Sequence, residues 1–276
     1  MSYSKGIVFF IDILGSKDRP FEEALMINTL IYNELDKITR EQERMNKYRE
    51  EIIFKKEQFP YEKNAHIILN NLNYANKISV FFSDCAYIIY HLEEADKIVN
   101  EDDISNIIYW HLISISKIIS FLVGNGFLLR GGISFGEYFF DKTKNILFGP
   151  AINEAYRLEQ EAMMPRLIFS NELGVKIKKI ENHYVIGAKT NNSRHIDLIF
   201  KDKIDNRFYL NYLSSFFLSS SLEFDEQKIK FIDYIKESKK KSLKIIRYQN
   251  DPKVITKHNW HIWYLETVKK MILKKM

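Results

Sequence analysis

Ile7-Val8-Phe9-Phe10-Ile11-Asp12-Ile13-Leu14-Gly15-Ser16 is an apolar run that ends on a carboxylate and then on a small, flexible turn. Its β-branched and aromatic residues fall on both alternating faces, which predicts a buried central strand over Lys5 to Ile13. An isolated Asp is costly to bury in apolar surroundings, so a carboxylate closing such a strand is paired, hydrogen-bonded or bound to a metal. A second stretch repeats the arrangement: Ile78-Ser79-Val80-Phe81-Phe82-Ser83-Asp84-Cys85-Ala86-Tyr87-Ile88-Ile89-Tyr90. It reads as two strands, Lys77 to Phe82 and Ala86 to His91, joined at Ser83-Asp84-Cys85, so that a hairpin carries Asp84 on its tip. Asp12 and Asp84 are therefore expected side by side on adjacent strands, sharing divalent metal.

Outward from these two stretches, Gly15-Ser16 turns the chain and Pro20 begins a helical pattern with apolar Phe21, Leu25, Ile27, Leu30, Ile31, Leu35 and Ile38. Its charged continuation, Arg40 to Lys56, extends as an exposed helix, and Phe59-Pro60 breaks it. Asn64 to Tyr74 fits a helix or a loop. Glu101-Asp102-Asp103 puts acids at the positive end of the next helix, which stops at Gly124-Asn125-Gly126. Phe127 to Phe139 reads as a strand interrupted by Gly131-Gly132, where a bulge or a close backbone approach is expected. Asn145 to Phe148 is short and apolar, and Gly149-Pro150 opens a helix running through Gln160. Pro165 to Ser170 reads as a strand, with two or three more between Lys176 and Leu213. This order predicts an α+β sandwich related to the ferredoxin-like split βαβ, with a mostly antiparallel sheet. From Asp225 the pattern turns helical and basic, with Trp260 and Trp263 near the end. The expected division is a domain over 1–213 and a helical extension over 214–276, docked or dimer-forming.

The 276 residues are 46% hydrophobic and 28% charged, enough for one large core. Gly (10) and Pro (5) are few beside 20 Phe and 16 Tyr, which predicts much regular structure and little linker. A formal net charge of +5 suits a polyanionic ligand, although lysine-rich helix faces are also ordinary solvated surface. Cys85 is the only cysteine, which excludes an intrachain disulfide and a cysteine-based metal cluster and points to a reducing, cytoplasmic home. Asp12 interrupts what would be the apolar segment of a signal peptide. Ile104 to Leu129 is long and apolar, but it carries Asn106, His111 and Lys117 with apolar positions every three to four residues. An amphipathic helix on a sheet, not a membrane span, is expected. His258 and His261, with Trp260 and Trp263, read as a docking face and not as a zinc site.

Four stretches, in order, resemble the class III nucleotidyl cyclases, and within them the pyrimidine cyclases of bacterial anti-phage (Pycsar) defence. They are Phe10-Ile11-Asp12-Ile13-Leu14-Gly15, Phe82-Ser83-Asp84, Arg130-Gly131-Gly132-Ile133, and Phe148-Gly149-Pro150-Ala151-Ile152-Asn153-Glu154-Ala155-Tyr156-Arg157-Leu158-Glu159. The resemblance implies that Asp12 and Asp84 bind metal, joined by the backbone carbonyl of Ile13. It implies two Mn²⁺ or Mg²⁺ ions per site, and that Asn153 and Arg157 orient the ribose and stabilise the pentacoordinate phosphorus. Gly15 and Ser16 would give the phosphates backbone room. Arg130 either contacts the nucleotide or anchors the glycine bulge.

These roles suit the chemistry. Cyclisation needs the ribose 3′-hydroxyl to attack the α-phosphorus while pyrophosphate leaves, and two divalent ions serve both ends of that displacement. Oxygen ligands suit Mg²⁺ or Mn²⁺, which take one or two carboxylates plus substrate phosphates. Charge growing on the phosphoryl oxygens calls for a fixed guanidinium. Asn153 and Arg157, four apart, project from one helix face. In the family the metal aspartates and the Asn/Arg pair at one site come from different subunits or half-domains, so one copy of each in this chain implies a homodimer with composite sites.

Purine-specific members carry a Lys four residues before the second metal aspartate and an acid three before the motif glycine. Val80 and Ile146 stand there instead, which favours a pyrimidine, with UTP taken ahead of CTP. The resemblance further implies a cyclic UMP messenger read by a separate effector protein. A nucleic-acid-binding module on the same scaffold, or a degenerate cyclase acting as a partner subunit, are the competing readings. The first leaves the two aspartates unexplained, and the full set of polar residues argues against the second. Neither a nucleic-acid partner nor a membrane is expected.

Overall fold

The computed structural model describes residues 3–15, 22–37 apart from 24, 40, 77–92 apart from 83, 101–190, 196–218 and 224–274. Ser16, the exposed helix expected beyond Arg40 and the ambiguous stretch Asn64 to Tyr74 lie outside them. Eight strands form one sheet among the described residues: β1 (Ser4–Ile13), β2 (Lys77–Phe82), β3 (Cys85–Leu92), β4 (Leu129–Asp141), β5 (Ile146–Phe148), β6 (Leu167–Phe169), β7 (Ile199–Lys201) and β8 (Phe208–Leu210). Their order is β2-β3-β1-β4-β6-β8-β7, with β5 folded back on the far end of β4. Only β4 and β6 run parallel; every other pairing is antiparallel. With its helices this is the expected α+β class.

β1 lies between β3 and β4, as its two-sided apolar sequence requires. Ile7, Phe9 and Ile11 point into the main core. There they meet a helix over 25–37 (α1), the long α2 (Glu101–Gly124) and the buried residues of α4 (Asn171–Thr190). Val8 and Phe10 point the other way, against Ala151, Ile152 and Ala155 of α3 (Pro150–Glu161). α2 is long and apolar enough to cross a membrane, yet 78% of its most apolar window is buried inside the molecule, as a core helix would be. Its polar residues are absorbed locally: His111 stacks on Tyr90 at 4.3 Å, and Ser120 donates to the Tyr212 carbonyl at 2.8 Å.

Two expectations need correction. β4 is not interrupted at Gly131-Gly132; it runs through both in register with β1. The glycines serve close approach instead. A Cβ on Gly132 would sit 2.0 Å from the Ala155 carbonyl oxygen and 2.6 Å from Leu158 Cβ, so α3 rests on bare backbone there. Gly132→Ala is expected to push α3 off the sheet and cost about 1–3 kcal/mol in overpacking, read as a lower denaturation midpoint; an unchanged midpoint would contradict this packing. The second concerns the start of the region after Ser170: residues 171–190 form one helix that the sequence reading did not foresee, with Leu173, Ile177 and Ile180 buried at helical spacing, while among the described residues β7 and β8 supply the two strands expected between Lys176 and Leu213.

The C-terminal residues form a hairpin of α5 (Phe224–Tyr248) and α6 (Pro252–Lys274) that docks on the core. Tyr264 donates to Asn211 Oδ1 at 2.6 Å, His261 Nε2 lies 3.0 Å from the Tyr212 hydroxyl, and Tyr234 donates to the Ser120 carbonyl at 2.7 Å. Ser242 Oγ is shared by His258 and His261, 3.1 and 3.0 Å from their Nδ1 atoms. Burial pushes the two imidazoles down to about 4 and about 3, so both are neutral at ordinary pH and act as docking residues.

Candidate active site

Side chains alternate along a strand, so Asp12 falls on the face of Val8 and Phe10, under α3. In register it lies opposite Arg130 on β4 and Cys85 on β3. Directly opposed residues share a face, and Arg130 uses that proximity: its Nε and Nη2 donate to Asp12 Oδ2 at 3.2 and 3.1 Å. The same Nη2 lies 2.5 Å from Oε1 of Glu159, whose side chain is 1% exposed and comes down from α3. That contact is an ion pair without hydrogen-bond alignment. Gln160 donates to the other oxygen, Oε2. Burial pushes the Glu159 carboxyl up, Arg130 pulls it back, and the neighbouring Asp12 adds to the rise. Arg130 is therefore a clasp between two carboxylates; of its two expected roles, anchoring a glycine bulge falls away, because β4 runs unbroken through Gly131-Gly132.

Asp84 arrives from the other side. β3 starts at Cys85, so Asp84 sits on the β2–β3 turn, and the Ile13 amide donates to its carbonyl at 3.0 Å. The chain segments carrying Asp12 and Asp84 are thus hydrogen-bonded neighbours at one end of the sheet. Both carboxylates act on the thiol between them: Cys85 is pushed up to about 11, first by burial and then by Asp84 and Asp12. Cys85 itself is half-buried and donates to the Phe82 carbonyl at 3.2 Å, a packing role and not a nucleophile's. Gly15 follows with φ of +77°, a conformation that favours glycine, and open space where a Cβ would point.

Asn153 and Arg157 share the outer face of α3, as their spacing predicts, and both are exposed. Arg157 is paired within its own helix, with Glu161 and, at 3.5 Å, Glu154; Glu161 also pairs with Arg207 beside β8. Glu159, two residues on and about 200° round the helix, faces the sheet instead. The chain therefore joins Asp12, Arg130 and Glu159 through their side chains, sets Asp84 on the adjoining turn, and turns Asn153 and Arg157 away from the clasp.

The sheet end offers oxygen donors in the Asp12 and Asp84 carboxylates and the nearby backbone of Ile13, while the Cys85 thiol between them, pushed up to about 11, stays protonated. Among the described residues no cluster of three or more His, Cys, Asp or Glu is poised for a metal. Two carboxylates fit Mg²⁺ or Mn²⁺, which complete their shell with water and phosphate; they do not fit a closed structural zinc site. Glu159 was quoted in the sequence motif without a role. The signal that could have found it is a carboxylate at a helix position flanked by the buried Ala155 and Leu158.

Solved structures similar to this chain include the monomeric guanylyl cyclase domain of the RhoGC fusion protein from the aquatic fungus Blastocladiella emersonii. That likeness covers 75% of this chain and 94% of the fungal one, at 14% identity and a TM-score of 0.42. The catalytic core of a rhodopsin-guanylyl cyclase with converted specificity, in complex with ATPαS, is similar over 75% of this chain and 95% of its own, at 14% identity and a TM-score of 0.41. The guanylyl cyclase Cya2 is similar over 76% and 92%, at 9% identity and a TM-score of 0.39. No family model matches the chain, and no curated protein is significantly similar to it in sequence. What the chain does has to be read from its own side chains.

Proposed function

We propose that this chain is a nucleotidyl cyclase that converts a nucleoside triphosphate to its 3′,5′-cyclic monophosphate and diphosphate. The observation that supports the reading is that the chain segments bearing Asp12 and Asp84 are hydrogen-bonded neighbours at one end of β1 and β3. In this reading Asp12, Asp84 and the Ile13 carbonyl hold two divalent ions, Mn²⁺ or Mg²⁺. When bound, such ions neutralise the triphosphate and acidify the 3′-hydroxyl. Arg130 fixes the Asp12 carboxylate in one orientation, and Gly15, with the Ser16 that follows it, leaves the phosphates room. The 3′-oxygen bonds to the α-phosphorus as its proton passes to solvent water, and the bond from that phosphorus to the bridging oxygen breaks to release diphosphate. Arg157 stabilises the charge on the equatorial oxygens, and Asn153 orients the ribose.

Because Arg157 faces away from Asp12 within the chain, the reading requires a homodimer. Asp12 and Asp84 of one copy work with Asn153 and Arg157 of the other, two sites per dimer. The substrate is taken to be a pyrimidine nucleotide, UTP ahead of CTP. Val80, 9% exposed within β2, and Ile146, at the start of β5, offer a purine base no hydrogen bond. The resemblance to the Pycsar group supports a cytoplasmic cyclic UMP messenger, read by a separate effector in anti-phage defence. It also supports 1–213 as the catalytic domain, with 214–276 as an appended helical unit. The test is to offer all four NTPs with Mn²⁺ and separate the products. Cyclic UMP, or failing that cyclic CMP, is expected as the main product; cyclic AMP or GMP would overturn the pyrimidine assignment.

A further inference from the structure

We propose that Lys257, on the C-terminal helix α6, binds the terminal phosphates of the substrate in the Asp12 site of its own chain. The inference deepens the cyclase reading and rests on it. It gives the C-terminal hairpin a part in the site that the sequence motifs did not suggest.

The placement follows from how α6 crosses the sheet. Arg166 lies just before β6, and its carbonyl accepts from the Gly131 amide at 3.1 Å, so it sits beside Arg130 at the Asp12 end of the sheet. The Arg166 guanidinium is buried between Asp202 and Asp205 and lies 6.0 Å from the Trp260 ring. One residue on, His261 closes a small cavity with Leu128, Leu129 and Arg166, at the start of β4. Leu128 in turn accepts from the Leu14 amide at 2.9 Å, two residues beyond Asp12. Lys257 stands three residues before Trp260 and four before His261, one turn away on the same helical face. Its ammonium is close enough to feel both groups of the clasp. Burial holds it down, Arg130 adds to that, and Asp12 opposes them.

Asp12 and Asp84 with a triphosphate carry more negative charge than two divalent ions and the second copy's Arg157 supply together, and Arg130 is already committed to Asp12 and Glu159. Lys257 is half-buried, and the carboxylates that act on it are Asp12 and, more weakly, Asp251. A flexible four-carbon stem with an ammonium at its tip is suited to phosphate oxygens whose exact position shifts as diphosphate leaves. The helix that carries it is pinned by the His261–Tyr212 and Tyr264–Asn211 hydrogen bonds, so the ammonium is presented from a rigid base.

The experiment uses the full chain, its Lys257→Ala and Lys257→Arg variants, and inorganic tripolyphosphate as a probe with no base or ribose. Binding is followed by calorimetry with Mn²⁺ present, and melting temperature is followed in parallel. Lys257→Ala is expected to weaken tripolyphosphate binding about ten- to a hundredfold at unchanged melting temperature, and Lys257→Arg to recover most of it. In turnover the alanine variant should raise KM more than it lowers kcat. Should the alanine variant melt early, Lys257→Gln, which keeps the stem, replaces it. Equal tripolyphosphate affinity in wild type and the neutral variants overturns the inference, whether or not the wild type cyclises nucleotides. A wild type that forms no cyclic nucleotide yet binds tripolyphosphate through Lys257 overturns the cyclase reading and supports this assignment.

Discussion

Asp12→Asn and Asp84→Asn are each expected to reduce Mn²⁺-dependent formation of cyclic nucleotide by at least about a hundredfold. Removing a group that merely orients a metal ligand already costs about ten- to a hundredfold, so loss of the ligand itself should cost no less. The fold should tolerate both substitutions, for different reasons. Asp12 is clasped by Arg130, which also faces the buried Glu159, so neutralising Asp12 leaves one guanidinium against one carboxylate and a pair that still balances. The fold should survive. Asp84 lies on a turn tied to Ile13 through its backbone carbonyl, which an asparagine retains. Activity assayed beside the melting temperature separates the cases: lost turnover with an intact fold is expected of both variants, and near-normal turnover in either would remove the metal role from that residue.

Mixing two inactive chains should restore activity. An Asp12→Ala chain keeps Arg157, and an Arg157→Ala chain, itself slowed about a hundredfold or more, keeps Asp12. If sites are composite, each heterodimer holds one intact site and one that is doubly damaged. Random exchange makes about half the dimers heterodimers, so about a quarter of wild-type activity should return. The orientation of α3 is the reason for this expectation. Arg157 points away from Asp12 and is held by Glu154 and Glu161, whereas Glu159 takes the inward position. Activity that stays at the level of the two separate chains would mean that both halves of the site lie in one chain.

β1 was legible because an apolar run on both faces has one stable place in a sheet, between two partners, and its closing Asp12 needed company there. The hairpin with Asp84 was legible for the same reason. Gly131-Gly132 was misjudged because the sequence shows a missing side chain and not what fills the space. The filler is the backbone of α3 at Ala155, contributed from more than twenty residues away. The helix from Asn171 was hidden by its β-branched Val175, Ile177 and Ile180, which suit either a strand or a helix until their partners are known. Glu159 was overlooked because a glutamate on a charged helix reads as surface. Its burial follows from Arg130, a partner on a different strand. Lys257 carried no sequence signal at all, since only the docking of α6 brings it to the Asp12 end of the sheet.

The most direct test is a crystal structure of the full chain with Mn²⁺ and a non-cyclisable UTP analogue, measured for the anomalous signal of manganese. The account predicts ions at about 2.1 Å from oxygens of both Asp12 and Asp84 of one chain, against the triphosphate, with Arg157 of a second copy at the α-phosphate. Manganese that binds elsewhere, or that touches only one of the two aspartates, would contradict it.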